Sequence, residues 1–187
     1  MPEPRSLAEH FLIAMPAMDD PNFFRSVTLV CQHDEEGAMG LVINHPADFQ
    51  FGELLEQMKI QAGDPGLAEL PVLSGGPVQP DRGFVLHDDP RPWDSSLRLA
   101  NGMAVTTSRD ILEAIARGDG PARWHLALGY AGWTAGQLEA ELAANSWLTV
   151  PADAGVVFDT PLEARWRAAA GRLGVDLDRL ADYAGHA

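Results

Sequence analysis

Cys31 and His33 are the first residues in this chain whose types and spacing could do chemistry together. On an extended strand, residues two apart share a face, with α-carbons roughly 7 Å apart. An imidazole beside a thiol lowers the thiol pKa and makes it nucleophilic or redox-active. The pair would therefore suit a thiol-dependent or small-ligand enzyme, or a redox sensor. The plainer account is a small buried hydrophobe next to a histidine at a hairpin end. It is the better one, because cysteine is among the most buried residue types.

Other residues offer weaker chemistry. Gly75 and Gly76, between Ser74 and Pro77, could form a nest of backbone N–H groups for an anion. The stretch lacks the lysine and following helix of a phosphate loop, so a tight turn or a close backbone crossing is the plainer reading. Arg82 could hold an anion or pair with one of many acidic neighbours. Tyr130 and Trp133, spaced by Ala131 and Gly132 after Gly129, would sit at a strand-to-helix transition. There they could line a ligand site or simply fill a core. These five residues, Gly75, Gly76, Arg82, Tyr130 and Trp133, are the ligand-binding candidates. His45, His87 and His125 are scattered without metal-ligand spacing, so no metal is expected and no cofactor is called for. No serine sits in a nucleophile-elbow motif.

The elements that must position these residues are legible from periodicity. Residues 11–15 are an apolar strand. Asp19, Asp20, Pro21 and Asn22 form a turn that lets Phe23 and Phe24 pin onto a core. Residues 26–33 alternate and return as 38–44 across an acidic, glycine-ended connection, which predicts an antiparallel hairpin. Phe51, Leu54, Leu55 and Met58 fall on one helical face. Short strands over 71–74 and 83–87 flank the glycine pair. Asn101-Gly102 predicts a hairpin between 97–100 and 103–107 with a type I′ turn, because both residues tolerate positive φ. A helix over Arg109–Arg117 follows, stopped by Gly118. Residues 124–129 form a strand, and a capping-box pattern at Thr134 and Gln137 opens a helix running to Asn145. Strands over 147–150 and 156–158 come next. Pro161 opens a helix striped by Leu162, Trp166, Ala169 and Leu173, and residues 175–187 form a last helix and a tail.

Composition bounds the rest. The 187 residues are 46% hydrophobic and 21% charged, with a formal net charge of -14. That balance suits one globular domain over 1–187 that needs no staple. Excess negative charge repels phosphate backbones and anionic lipid, so nucleic acid is disfavoured as a partner. A single cysteine forms no internal disulfide and asks for no oxidising compartment. The apolar run near residue 11 is too short to span a membrane, so no membrane association and a cytoplasmic location are expected. Hairpins mixed irregularly with helices indicate an α+β fold: a strongly bent, largely antiparallel sheet or small barrel surrounded by helices.

Five blocks in order extend this reading. MPAMDDPNFFRSVTLVC, EEGAMGLVIN, LSGGPVQPDRGFVLH, TTSRDILEAIARGDGP and LGYAGWTAGQLEAELAANSWL, with the closing AGHA, span nearly the whole chain and resemble the AlgH/YqgE family of bacterial proteins. The resemblance implies the same bent sheet or small barrel ringed by helices. One member carries a label as a regulator of alginate synthesis, sometimes called transcriptional; the label implies no activity or cofactor. No helix-turn-helix with a basic recognition helix is present, which argues against direct DNA binding. The expected function is a non-enzymatic binding or regulatory protein with an unidentified protein or small-molecule partner. The alternative is the enzyme or redox sensor built on Cys31 and His33. The sequence sets no oligomeric state.

Overall fold

The computed structural model describes residues 6–99 and 101–184. The first residues of the lead-in, position 100 at the Asn-Gly turn and the tail 185–187 lie outside the described residues. Ten strands form one sheet, β1 (His10–Ala14), β2 (Val27–Asp34), β3 (Gly37–Val42), β4 (Pro46–Gln50), β5 (Pro71–Ser74), β6 (Val78–His87), β7 (Ser96–Arg98), β8 (Ala104–Thr106), β9 (Trp124–Thr134) and β10 (Trp147–Pro151). Among the described residues five α-helices accompany them: α1 (Phe51–Gln57), α2 (Arg109–Arg117), α3 (Gln137–Ala143), α4 (Arg165–Gly171) and α5 (Leu177–Ala184). The strand order is β10-β1-β2-β3-β9-β6-β8-β7, antiparallel throughout, with β4 and β5 attached beside β9. Only β5 runs parallel to its neighbour β9. The sheet curls into a half-barrel, and the α+β class read from the sequence holds.

Curling gives the sheet an inside and an outside, and strand alternation fills both. Inside, Phe11, Ile13, Val27, Leu29, Leu41, Ile43, Phe84 and Leu86 pack together. Trp166, Ala169 and Ala170 of α4 and Val156 and Val157 of the π-helical turn Gly155–Asp159 join them, so α4 packs against the inner face of the half-barrel. Outside, α1 and α2 cover one region through Phe51, Leu54, Leu55, Ile111, Leu112 and Ile115. Leu138 of α3 covers another, against Leu12, Val30, Trp133 and Trp147. The elbow before β2 is pinned as its turn chemistry predicts, with Asp20 Oδ1 accepting the Asn22 N–H at 2.9 Å. Phe23 packs on the outer core, whereas Phe24 stays 47% exposed.

Several sequence expectations change. Val156–Phe158 is not a strand: Gly155–Asp159 is a π-helical turn, and a β-branched pair gave the wrong period. Trp124–Thr134 is one continuous strand, so Tyr130 and Trp133 lie within a strand rather than at its exit, and Thr134 closes the strand while α3 starts after a left-handed Gly136. Leu173 is 42% exposed and leaves the predicted apolar stripe. The sequence reading placed no strand over Pro46–Gln50, where the edge strand β4 forms, with proline at its first position as an edge allows. The hairpin β7–β8 forms, with Leu97 opposite Val105. Leu99 and Met103 pair across a three-residue connection. Gly102 supplies the positive φ, at 86°. Asn101 accepts the Met103 N–H on Oδ1 at 3.2 Å.

The glycines at 75, 76 and 129 do something else. Leu73 of β5 and Phe84 of β6 both pair with Ala127, so these strands flank opposite edges of β9. The chain between them must pass over β9. At the crossing a side chain on Gly76 would lie 2.2 Å from the Tyr130 carbonyl carbon, and one on Gly129 would lie 2.4 Å from Gly76 O. Only hydrogen fits there.

Candidate functional site

Pairing of β2 with β3 jumps from Val30 opposite Gly40 to Gln32 opposite Met39. Cys31 is the extra residue of a β-bulge, and the bulge slips the alternation by one. Cys31 stays inside with Val27 and Leu29, while His33 swings to the outer side. There His33 Nδ1 accepts the Leu7 N–H at 2.8 Å. A backbone N–H can only donate, so Nε2 carries the ring proton and gives it to Glu139 of α3. The histidine ties the lead-in to α3 and is no neighbour of the thiol. Cys31 is 3% exposed, its Sγ lies 3.6 Å from Leu29 O, and burial pushes the thiol up to about 12. The expected pairing of Cys31 with His33 fails because a one-residue bulge carries no signature in the alternation pattern.

The bulge also opens a groove. Gln32 and Met39 form one wall, Arg82 and Phe84 of β6 the other, and Tyr130 of β9 the floor of a groove of about 610 Å³. Gln32, Met39, Arg82 and Phe84 continue into a lobe of about 350 Å³ bounded by Ser95, Leu97, Val105 and Thr107. The two lobes form the mouth of the half-barrel, where the inner core meets solvent. Tyr130 meets Phe84 edge-on at 5.8 Å, and the Arg82 guanidinium lies over the Phe84 ring at 5.3 Å. Arg82 has no carboxylate partner among the described residues; its contact is Gln79 Oε1 at 3.4 Å. By contrast, Arg91, Arg109, Arg123, Arg167, Arg172 and Arg179 all sit in ion pairs. The groove thus combines aromatic and thioether surface with one unneutralised cation.

Of the sequence-read candidates, Arg82 and Tyr130 come together here, and Cys31 lines the smaller lobe beside Arg82. Trp133 touches the groove along β9, but its indole packs in the outer core against Phe23 and Trp147. Its Nε1–H donates to Glu141 at 3.0 Å. Gly75 and Gly76 form the crossing over β9, and the Gly75 N–H is spent on Leu128 O at 2.8 Å. Gln32, Met39 and Phe84 were not singled out from sequence. Phe84 was legible as a strand residue, but nothing in the pattern marked the bulge that turns Gln32 into the groove. Among the described residues no group of His, Cys, Asp and Glu could hold a metal ion, and no helix is long and apolar enough to cross a membrane.

A curled half-barrel of this strand order, flanked by helices, defines the α+β class of the chain, and sequence comparison places it within that class. A family profile described as AlgH-like matches residues 11–178. The chain belongs to the AlgH-like family. A UPF0301 protein of Xanthomonas campestris pv. campestris is 63% identical over 184 residues, covering 98% of each chain. Another from Stenotrophomonas maltophilia is 61% identical over 183 residues, covering 98% of this chain and 97% of the relative. The solution structure of the AlgH protein from Pseudomonas aeruginosa is similar at a TM-score of 0.81 and 52% identity, over 96% of this chain and 95% of that one. A crystal structure from Corynebacterium diphtheriae shares the fold at a TM-score of 0.74, with 21% identity, over 97% and 94% of the two chains.

Proposed function

We propose that this protein is a non-enzymatic binding or regulatory protein of the cytoplasm that receives its partner, a small molecule or a protein segment, in the groove at the half-barrel mouth. The observation that carries this reading is the lining: Met39, Phe84 and Tyr130 supply apolar and aromatic surface, and Arg82 is a cation without a carboxylate partner among the described residues. Mouths of barrels with a few convergent polar groups are common binding sites. The thiol reading has less behind it. Cys31 sits beneath the groove without a base, in its protonated form at neutral pH. Nucleic acid suits the groove poorly, since one arginine does not offset a net charge of -14.

Arg82→Glu and Tyr130→Ala test it. The protein is purified natively from cells, and bound small molecules and chains are identified by mass spectrometry. Wild type should retain a partner that both variants lose while keeping wild-type thermal stability. Retention by both variants, or turnover of the retained molecule to a product, would sink the reading.

A further inference from the structure

A second pocket, of about 340 Å³, lies where β9 begins beside the π-helical turn. Leu70, Pro71, Arg123, Trp124, His125 and Phe158 line it. The His125 and Phe158 rings are nearly parallel, 14° apart with centroids at 5.5 Å. The Arg123 guanidinium lies over Phe158 at 5.1 Å. Arg123 is already paired with Asp88 at 2.7 Å and Asp159 at 3.1 Å, so the rim offers no spare positive charge.

The back of the His125 ring fixes its tautomer. Nε2 lies 2.7 Å from Val157 O and 3.2 Å from Nη2 of Arg165. A lone pair facing a carbonyl oxygen at that shorter distance would be repelled. Nε2 therefore carries the proton and donates it to Val157 O. Arg165, 5% exposed, donates from Nη1 to Ile43 O and from Nε to Thr160 O. The lone pair of the ring is then on Nδ1, which makes no hydrogen bond with any described residue. Burial, with the Arg165 charge behind the ring, holds His125 below the ordinary histidine range, so it stays neutral. The π-helical turn supplies both Val157 O and Phe158, and such turns recur at functional sites.

We propose that this pocket binds a flat, uncharged nitrogen heterocycle that packs against Trp124 and Phe158 and donates an N–H to Nδ1 of His125. An apolar wall with a single acceptor selects a ring with one matching donor, since a buried acceptor left unmatched costs binding. An anion would meet Asp88 and Asp159, and a cation would meet Arg123 and Arg165. The volume suits a one- or two-ring compound.

Benzimidazole, N-methylbenzimidazole and benzimidazole carboxylate are the probes, titrated into the full chain while the nitrogen NMR resonances of the histidine side chains are followed. Benzimidazole should move the His125 Nδ1 resonance saturably. N-methylbenzimidazole, which lacks the donor, and the carboxylate should each bind at least about tenfold more weakly, or about 1.4 kcal/mol. His125→Phe keeps a flat ring and removes the acceptor; it should weaken benzimidazole by a similar factor. Should that variant fail to fold, the wild-type probe series decides. Equal binding of benzimidazole and its N-methyl form, tighter binding of the carboxylate, undiminished binding to folded His125→Phe, or no saturable shift at His125 would each overturn the assignment.

Discussion

Cys31 illustrates how one residue's surroundings set its chemistry. An apolar site disfavours the thiolate, and here nothing nearby compensates, because the bulge has carried His33 to the opposite face. Native protein should therefore label slowly with iodoacetamide up to the pH at which it unfolds; rapid labelling with a midpoint well below 8 would contradict the packing described. Cys31→Ser should cost roughly 1–3 kcal/mol, by burying a hydroxyl without an assured partner. Gly76 is a second such point. With φ of 150° and the backbone of Tyr130 and Ala131 within 2.4 Å of any added carbon, Gly76→Ala must push two backbone segments apart. A loss of about 3 kcal/mol or more in chemical denaturation is expected. A loss under about 1 kcal/mol would mean the crossing is looser than it looks.

Helix α3 is held by its side chains more than by its length. Seven residues are too few for a stable isolated helix. Glu141 anchors it: Oε1 accepts the indole N–H of both Trp133 and Trp147 at 3.0 Å, and Oε2 accepts from Gln137. Glu141→Ala leaves two indole donors without their partner, which should cost roughly 2–4 kcal/mol. Glu141→Gln keeps one acceptor and should recover part of that in the same denaturation series; equal stability of wild type and Glu141→Ala would refute the anchoring role. The sequence showed where such elements lie better than how they meet. Period two marked β2 and β3, and caps and glycines bounded α2 within its observed limits, because those signals are local. The bulge at Cys31, the crossing at Gly76 and the two-indole carboxylate are set by contacts between distant segments. The glycines and aromatics were visible as unusual residues, but their partners were not. For the same reason Arg82 and Tyr130 were legible as candidates, whereas Gln32 and Met39 needed the folded groove to be recognised.

Across the whole molecule, buried histidines make stability depend on pH. Burial holds His45, His87 and His125 below their ordinary value of 6.5. As pH falls past that value, the unfolded chain takes up protons before the folded one, so stability declines. A second decline comes at lower pH, where carboxylates with depressed pKa must be protonated. Asp89 is held down chiefly by its hydrogen bond from Arg91. At Asp110, burial pushes the other way but is outweighed by hydrogen bonds from Ser108 and backbone N–H groups. The urea midpoint should therefore drop between about pH 7 and pH 5, and again below the ordinary carboxylate value of 3.8. A midpoint unchanged from pH 7 to pH 5 would contradict the burial of the three rings. The half-barrel, with α4 packed on its inner face and a groove lined from β2, β3, β6 and β9, is the basis of the binding account. Its most direct test is to add the natively co-purified partner to isotope-labelled, partner-free protein and map the backbone NMR shifts. The account predicts saturable shifts at Gln32, Met39, Arg82, Phe84 and Tyr130, with the partner recovered chemically unchanged. Shifts confined to other surfaces, or recovery of a converted product, would contradict it.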